Sequence, residues 1–183
     1  SEKQAEAHII GKEKGVLAGL EEVSFFLKEE GISFSPFKKD GDILQKKDII
    51  LTLRGNAQHI LQIERPLLNF LSRLSGIATL SKKIVQKIPS SVLLLPTRKT
   101  LWGPIDKKGV VIAGGGSHRL NLETGILIKD NHLALLSGGI SEAMKILKQR
   151  DVLSSKAWNL SGDDLFWEIE VESEEQFLQV LRN

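Results

Sequence analysis

Three short apolar runs, each followed by cationic residues, organise the middle of this chain. They span residues 92–95, 110–113 and 126–128. Apolar runs of this length, bounded by Gly and Pro, are typical of buried strands in a parallel sheet. In parallel α/β folds, the residues just past the carboxyl ends of the strands form the site. The sequence therefore predicts an α/β fold in which the residues after these runs lie on one rim.

The residues after the three runs carry a concentration of positive charge. Five of them are cationic or can become so: Arg98, Lys99, His118, Arg119 and Lys129. Five such groups in one cleft repel one another unless a multiply anionic ligand lies between them. A phosphate or a polycarboxylate fits, because the planar fork of arginine matches the oxygens of both groups.

Composition narrows the class of protein. The 183 residues are enough for one ordinary domain or two small ones, and the hydrophobic fraction of 41% is enough for a core. A net charge of +2 argues against general nucleic-acid binding. The sequence has no cysteine, which excludes disulfides, thiolate metal sites and cysteine nucleophiles. No apolar run approaches ~20 residues, so we expect no membrane-spanning helix and a cytoplasmic location.

The first part of the chain predicts a small α/β layer. Hydrophobic patterns predict a strand and turn in residues 7–16, a helix over 16–30 capped by Gly31, and strands over 32–37 and 49–53. Asp40-Gly41-Asp42 predicts a plain turn between them. A calcium loop is the alternative interpretation, although the remaining ligands of such a loop are missing.

Two helices are expected next, a short one over residues 56–63 and a long one that opens at Pro66 and stops at Pro89. Arg65 would then lie at a helix N-terminus, which favours anions. The alternative is a solvated arginine beside a helix cap. We place a domain boundary near residue 90, giving domains of residues 1–89 and 90–183.

The second part alternates strands with loops and helices. Gly114-Gly115-Gly116 indicates either a tight turn where backbones pass closely or a direct phosphate contact. A helix is expected over residues 138–149, a long polar connection over 151–162, and a strand over 166–172. One face of that strand carries Glu168, Glu170 and Glu172. These glutamates are either solvated on an open sheet or point into a barrel, where one would face the cations and hold sugar hydroxyls or hydrated Mg²⁺.

Six stretches resemble the quinolinate phosphoribosyltransferase family (nicotinate-nucleotide pyrophosphorylase, carboxylating), in the family's order. They are Gly15-Val16-Leu17-Ala18-Gly19, residues 64–79 beginning Glu64-Arg65-Pro66, Thr97-Arg98-Lys99-Thr100, Gly114-Gly115-Gly116-Ser117-His118-Arg119-Leu120, Leu127-Ile128-Lys129-Asp130-Asn131-His132 and Glu168-Ile169-Glu170-Val171-Glu172. The resemblance implies an N-terminal α/β sandwich domain with a long linking helix (1–89) and a partial, truncated α/β barrel (90–183). It also implies a homodimer with a shared active site.

The resemblance further implies an enzyme, a decarboxylating pentosyltransferase of NAD biosynthesis. Such an enzyme transfers phosphoribosyl from phosphoribosyl pyrophosphate to quinolinate with Mg²⁺, giving nicotinate mononucleotide, CO2 and pyrophosphate.

The family motifs also imply roles for individual residues. Those placed around the two quinolinate carboxylates are Arg65 (reaching in from the partner subunit), Arg98, His118, Arg119 and Lys129. Thr97 belongs to the same substrate-binding motif, and Lys99 and Glu170 lie on the phosphoribosyl pyrophosphate side. Lys129, Lys99 and Glu170 are the expected catalytic residues, with Lys129 assisting decarboxylation. Magnesium is expected to bind through phosphates, with Glu170 as an additional ligand.

The sequence also departs from the family pattern. Pro96 precedes the Thr-Arg-Lys-Thr motif, and Leu101-Trp102-Gly103-Pro104 follows it in place of Thr-Pro-Gly. Family members begin with a further acidic segment and continue through more barrel strands, so we expect the chain to be a fragment of a longer protein. One alternative is a related member that uses another aromatic acid, although Lys129-Asp130-Asn131-His132 favours the quinolinate type. The other is a non-catalytic or incomplete fragment that binds a polyanion or a partner subunit.

Overall fold

The computed structural model describes residues 3–119, 125–149 and 167–182. It divides the chain into two compact units, Ser1–Ser117 and His118–Asn183, which are described separately below. This division falls later than the predicted domain boundary near residue 90, which stays a prediction. The expected polar connection over residues 151–162 lies outside the described residues.

The strands of the first unit form two antiparallel sheets. The larger sheet has the order β1–β5–β3, with β1 at Gln4–Ile10, β3 at Ser33–Pro36 and β5 at Ile49–Asn56. In the smaller sheet, β2 (Gly15–Val16) pairs with β4 (Ile43–Leu44). The strands predicted around residues 7–16, 32–37 and 49–53 are confirmed. The turn at Asp40-Gly41-Asp42 is confirmed too, and Gly41 supplies its positive φ of 91°.

The first helix, α1 (Leu20–Glu29), starts four residues later and ends one residue earlier than predicted. Its start is delayed because Gly15 and Val16 pair with β4 and because Gly19 has a φ of 94°. Glu30 caps the helix and Gly31 follows with a φ of 65°.

A single helix, α2 (Ala57–Val85), replaces the two helices predicted around Pro66. The prediction that Arg65 starts a helix is therefore wrong. Six buried side chains run along one face across the proline: Ile60, Ile63, Leu67, Leu71, Leu74 and Ala78. Burial of this continuous stripe offsets the helical hydrogen bond that Pro66 cannot donate. Asn56 caps the helix by accepting the amides of Gln58 (2.9 Å) and His59 (3.2 Å).

Two of the three predicted central strands are wrong. Residues 110–113 lie at the end of α3 (Pro104–Ile112), and residues 92–95 form no regular strand. Pro104 in the first turn favours this helix. Gly109 lets it approach α2 closely, since a Cβ on Gly109 would lie 2.9 Å from Cγ2 of Ile77. The third run forms a strand as predicted.

The core of the first unit lies between the larger sheet and helices α1 and α2. Its most completely buried large side chains are Leu17, Leu27 and Leu51. Phe26 and Phe34 pack on its edge. Unit 1 is therefore the α/β layer that the alternating strand and helix patterns predict.

The second unit contains a parallel strand pair. β6 (Ile126–Ile128) pairs with β7 (Trp167–Ile169), and the helices are α4 (Asp130–Ala134), α5 (Gly139–Gln149) and α6 (Glu174–Arg182). The inward face predicted for α5 is confirmed, since Ile140, Ala143, Met144 and Leu147 are buried. Trp167, Ile169 and Val171 pack on this core, while Glu168, Glu170 and Glu172 are exposed. The predicted alternation thus holds over residues 167–172, although the regular strand ends at Ile169.

Within the described ranges, the helices are too short or too polar to traverse a lipid bilayer.

Candidate functional site

The carboxyl ends of β6 and β7 carry the charged pair Lys129 and Glu170. In the parallel register Ile128 is opposite Ile169, so Lys129 and Glu170 each directly follow a strand. The amide of Glu170 donates to the carbonyl of Ile128 at 2.9 Å, which fixes the two strand ends side by side. Nζ of Lys129 lies 3.6 Å from Oε2 of Glu170. Both side chains are solvent-accessible, so an incoming ligand can reach the pair.

A second polar contact joins His118 to the same strand. Nε2 of His118 lies 2.9 Å from Oε2 of Glu168, with the imidazole 13% exposed and the carboxylate 50% exposed. His118 also adopts a φ of 54°, in the left-handed region that side chains other than glycine seldom occupy. Strained backbone of this kind is concentrated at binding and catalytic sites. Arg119 follows His118 and is half-buried.

Lys129 is also fixed by the helix that follows it. It is the N-cap of α4, and its amide donates to Nδ1 of His132 at 2.9 Å. This contact uses the histidine of the Lys129-Asp130-Asn131-His132 motif to hold the turn between β6 and α4. The motif therefore sets the direction in which Lys129 leaves the strand.

The cationic loop Thr97–Lys99 belongs to the first unit. Thr97, Arg98 and Lys99 are all exposed, and Oγ1 of Thr97 accepts the amide of Lys99 at 3.1 Å. This bond makes a local turn of the kind in which a threonine side chain replaces a backbone acceptor. The turn presents Arg98 and Lys99 to solvent from adjacent positions.

The glycine run confirms the tight-turn interpretation. The Gly116 amide donates to the Leu94 carbonyl at 2.9 Å, and a Cβ on Gly115 would lie 2.7 Å from that same oxygen. The two chain segments therefore pass at a distance that only glycine permits. This contact holds the residues just before the cationic loop against the glycine run, residues 114–116.

Arg65 lies on the exposed face of α2. Its side chain is 81% exposed, with Nε 3.9 Å from a carboxylate oxygen of the adjacent Glu64. The structure thus places the predicted residues in three groups. Arg65 is on α2, Thr97, Arg98 and Lys99 are on one loop, and His118, Arg119, Lys129 and Glu170 are in the second unit.

Two features of this region were not predicted from the sequence. The alternating pattern puts Glu168 on the polar face of its strand and, at a spacing of two, on the same face as Glu170, but it assigns Glu168 no role. The sequence gives no indication of a role for Asp106. It is 4% exposed and accepts two hydrogen bonds from Arg73, from Nε and Nη2, each at 2.7 Å. No local sequence pattern predicts this contact, because its partners are 33 residues apart.

Comparison with known proteins identifies both parts of the chain. Residues 1–75 match the family model described as quinolinate phosphoribosyl transferase, N-terminal domain, and residues 77–183 match the C-terminal domain of the same family. A probable nicotinate-nucleotide pyrophosphorylase (carboxylating) of Bacillus subtilis is 37% identical over 185 residues, covering 98% of this chain and 60% of that protein. A protein of the same name from Methanothermobacter thermautotrophicus is 36% identical over 172 residues, covering 91% of this chain and 58% of that protein.

Solved structures agree. The nicotinate-nucleotide pyrophosphorylase of Francisella tularensis superposes with a TM-score of 0.81 at 29% identity, covering 100% of this chain and 62% of that chain. NadC from Streptococcus pyogenes gives a TM-score of 0.80 at 31% identity, covering 98% of this chain and 61% of that chain. The chain thus spans 58% and 60% of the length of the two curated relatives described above. With family models matching residues 1–75 and 77–183, the chain belongs to the quinolinate phosphoribosyl transferase family.

Proposed function

We propose that this chain carries out phosphoribosyl transfer from phosphoribosyl pyrophosphate to quinolinate, with decarboxylation, giving nicotinate mononucleotide, CO2 and pyrophosphate for NAD biosynthesis. The observation that carries the proposal is the Lys129–Glu170 pair at the carboxyl ends of two parallel strands, within a chain that matches both family domains. The carboxyl edge of a parallel sheet is where α/β proteins bind ligands.

The cations position quinolinate in this proposal. Arg65 (from the partner subunit), Arg98, His118, Arg119 and Lys129 bind its two carboxylates. Charge-assisted contacts to both carboxylates fix the ring, so that its nitrogen is directed at the sugar carbon that reacts. In the free protein the carboxylates of Glu168 and Glu170 contact His118 and Lys129. A substrate carboxylate would replace these contacts without requiring the cations to move far.

The transfer breaks the bond between the anomeric carbon and pyrophosphate and forms the bond from that carbon to the ring nitrogen. Positive charge develops on the sugar and negative charge on the leaving pyrophosphate. Thr97 and Lys99 on the exposed loop are assigned to the leaving group, where fixed donors and charge lower the barrier. Glu170 is assigned to the ribose side. Loss of CO2 breaks the bond between a ring carbon and its carboxylate carbon and leaves the electron pair on the ring carbon, which then takes up a proton from solvent. Lys129 is assigned to stabilising that negative charge.

Magnesium fits the proposal as a companion of the substrate. Among the described residues, no group of three or more His, Asp or Glu side chains is arranged to hold a metal ion. Mg²⁺ is commonly bound by one or two carboxylates together with substrate phosphates. The exposed Glu170 supplies one carboxylate. When bound, the ion would neutralise charge on the departing pyrophosphate.

The proposed assembly is a homodimer with a shared active site. The high exposure of Arg65 supports this, because it leaves the guanidinium available to a second subunit. We also propose a cytoplasmic location, which is supported by the absence of cysteine from the sequence. Small anionic substrates, rather than nucleic acid or membrane, are the proposed partners.

Calorimetric titration of quinolinate tests the proposal first. Arg119→Ala should weaken binding about tenfold or more, because a charge-assisted hydrogen bond contributes about 1.5–3 kcal/mol. Arg54→Ala is the matched control, since Arg54 on β5 forms an exposed pair with Glu6 on β1 and such pairs contribute little. Equal affinities for wild type and Arg119→Ala would contradict the assignment of Arg119.

Turnover is then measured as nicotinate mononucleotide formed from quinolinate and phosphoribosyl pyrophosphate. Product formation supports the proposed transfer. Quinolinate binding without product would instead support the alternative of a non-catalytic fragment that binds a polyanion. Absence of binding by the wild-type chain would overturn the proposed function.

A further inference from the structure

Asp106, a buried carboxylate outside the proposed site, holds together two helices and a loop. It lies in the first turn of α3 and is 4% exposed. Nε and Nη2 of Arg73 on α2 donate to its two oxygens at 2.7 Å each, a bidentate contact. The Trp102 amide also donates to Oδ2 at 3.3 Å, and the Thr100 hydroxyl forms a further hydrogen bond. One carboxylate therefore fixes both ends of the Thr100–Trp102 segment.

Trp102 adds an aromatic contact to the same group. Its ring stacks on Phe70 of α2 with a centroid distance of 5.7 Å and an interplanar angle of 23°. The guanidinium carbon of Arg73 lies 4.9 Å from the Trp102 ring centroid, within the range of a cation–π contact. Arg73 thus contacts both the carboxylate and the indole. We refer to Arg73, Trp102 and Asp106 as the anchor cluster.

Two members of the anchor cluster, Trp102 and Asp106, follow the cationic loop closely in the sequence. Thr100 closes the Thr-Arg-Lys-Thr motif, and its hydroxyl contacts Asp106. On the other side of the loop, the Leu94 carbonyl accepts the Gly116 amide. The exposed residues between these two attachments are Thr97, Arg98 and Lys99. The loop is thus tied at both ends and accessible in the middle.

Stability alone is a weak explanation for this ion pair, in which the carboxylate is buried and the Arg73 side chain is partly exposed. Taking a charge out of water costs much of what its attraction to the partner returns, so the net contribution of such a pair to stability is small. What such an ion pair does provide is a fixed geometry, because both partners must keep their positions. Here the pair fixes the conformation of the segment that carries Arg98 and Lys99.

We propose that Asp106 is a positioning residue that, held by Arg73 and Trp102, sets the conformation in which the Thr97–Thr100 loop presents Arg98 to quinolinate. This inference rests on the proposed function of the chain. Asp106 does not touch the ligand and acts through Thr100 and the Trp102 amide. The stack of Trp102 on Phe70 adds an aromatic contact that stabilises the end of the loop.

A double-mutant cycle on quinolinate affinity tests the proposal, using Asp106→Asn, Arg98→Ala and the combined variant in the full chain. Asp106→Asn should weaken quinolinate binding about tenfold, as expected when a charge-assisted contact is lost. Arg98→Ala should then have little further effect in the Asp106→Asn background, because the guanidinium is already misplaced. Two changes that act on one contact are non-additive. A general loss of fold would also remove the effect of Arg98→Ala, so a cooperative unfolding transition in each variant is required before the affinities are compared.

Asp48→Asn is the matched control. Asp48 also accepts a backbone amide, from Gln45 at 3.0 Å, and pairs with a cation, Lys38 at 2.9 Å, in the same unit. The Asp48→Asn substitution should leave quinolinate affinity unchanged. Arg73→Lys is the second variant, for use if Asp106→Asn does not fold. It keeps the positive charge but loses the bidentate contact, and it should weaken binding in the same non-additive way.

Three results are decisive. Non-additive loss in variants that still unfold cooperatively, measured well below their unfolding midpoints, supports the positioning role. Wild-type affinity in Asp106→Asn, or full additivity within about twofold, overturns it while leaving the proposed function intact. A wild-type chain that does not bind quinolinate overturns the proposed function, and this inference with it.

Discussion

At the scale of single residues, two helical glycines have opposite surroundings. A Cβ on Gly109 of α3 would lie 2.9 Å from Cγ2 of Ile77 and 3.1 Å from the Leu74 carbonyl oxygen of α2. A Cβ on Gly76 of α2 would have no neighbour within 4 Å among the described residues. Gly109 is therefore needed for the close approach of α2 and α3, and Gly76 is not.

This contrast gives a prediction from one pair of variants. Gly109→Ala should lower the free energy of unfolding by about 1–3 kcal/mol, because the added methyl group overpacks the helix contact. Gly76→Ala should raise it by about 0.5–1 kcal/mol, because alanine has the higher helix propensity. Urea denaturation measures both. An equal effect of the two substitutions would show that the α2–α3 contact is looser than described.

The residues that bear positive charge could be predicted from the sequence, but their partners could not. Lys129 follows β6 as expected, and Glu170 follows β7 on the expected polar face. The sequence motifs identify these positions because the end of a strand and the alternation of apolar and polar side chains along it are local properties of the sequence. The contacts of Asp106 with Arg73 and of His118 with Glu168 join residues 33 and 50 positions apart. Such pairing is decided by tertiary packing and leaves no periodic signal.

At the scale of elements, the Arg73–Asp106 contact joins α2 to α3 and makes their packing sensitive to acid. Hydrogen bonding from Arg73 holds the pKa of Asp106 below its ordinary value of 3.8. A lowered folded-state pKa means that the stabilisation is present above pH 3.8 and is lost as the pH falls through the folded-state value. The sign follows because the unfolded chain takes up the proton more readily than the folded one.

We therefore expect the stability difference between wild type and Asp106→Asn to shrink as the pH falls from about 5 to about 2. Denaturant unfolding across that range measures it. Asp48→Asn provides a comparison on a surface turn, where the Gln45 amide and Lys38 likewise lower the pKa of the carboxyl group. A wild-type advantage over Asp106→Asn that stays constant with pH would contradict the assigned ionisation.

The errors in element type have a common cause. Residues 110–113 are four apolar residues in succession, and a run that short does not distinguish a buried strand from the buried end of a helix. α5 was predicted correctly because its 11 residues show a full helical stripe. At Pro66 the local rule for proline was overridden by the apolar stripe of α2, which continues from Ile63 to Leu67. Longer periodic segments were thus predictable, and short apolar runs and proline positions depended on packing.

At the scale of the whole molecule, the two units have unequal cores in the parts of the chain that the structure describes. The largest cluster of unit 1 contains fourteen buried apolar residues contributed by its strands, by α1 and α2 and by the segments that connect them. The cluster of unit 2 contains three, Ile140, Met144 and Leu147, with partly buried neighbours on β6 and β7. Because apolar burial is the main favourable term in folding, the amides of unit 1 should open less often.

Native-state hydrogen exchange should therefore show its slowest amides in β5 and α2, with faster exchange in β6 and β7. Leu51 lies at the centre of β5 and is 0% exposed, so Leu51→Ala should destabilise by about 2–5 kcal/mol and speed exchange in β5 and α2. Met144→Ala is the counterpart in α5 and should speed exchange in β6 and β7. Equal protection of β5 and β6 would contradict the prediction, because it would mean that the core of unit 2 is stabilised by more than its described residues provide.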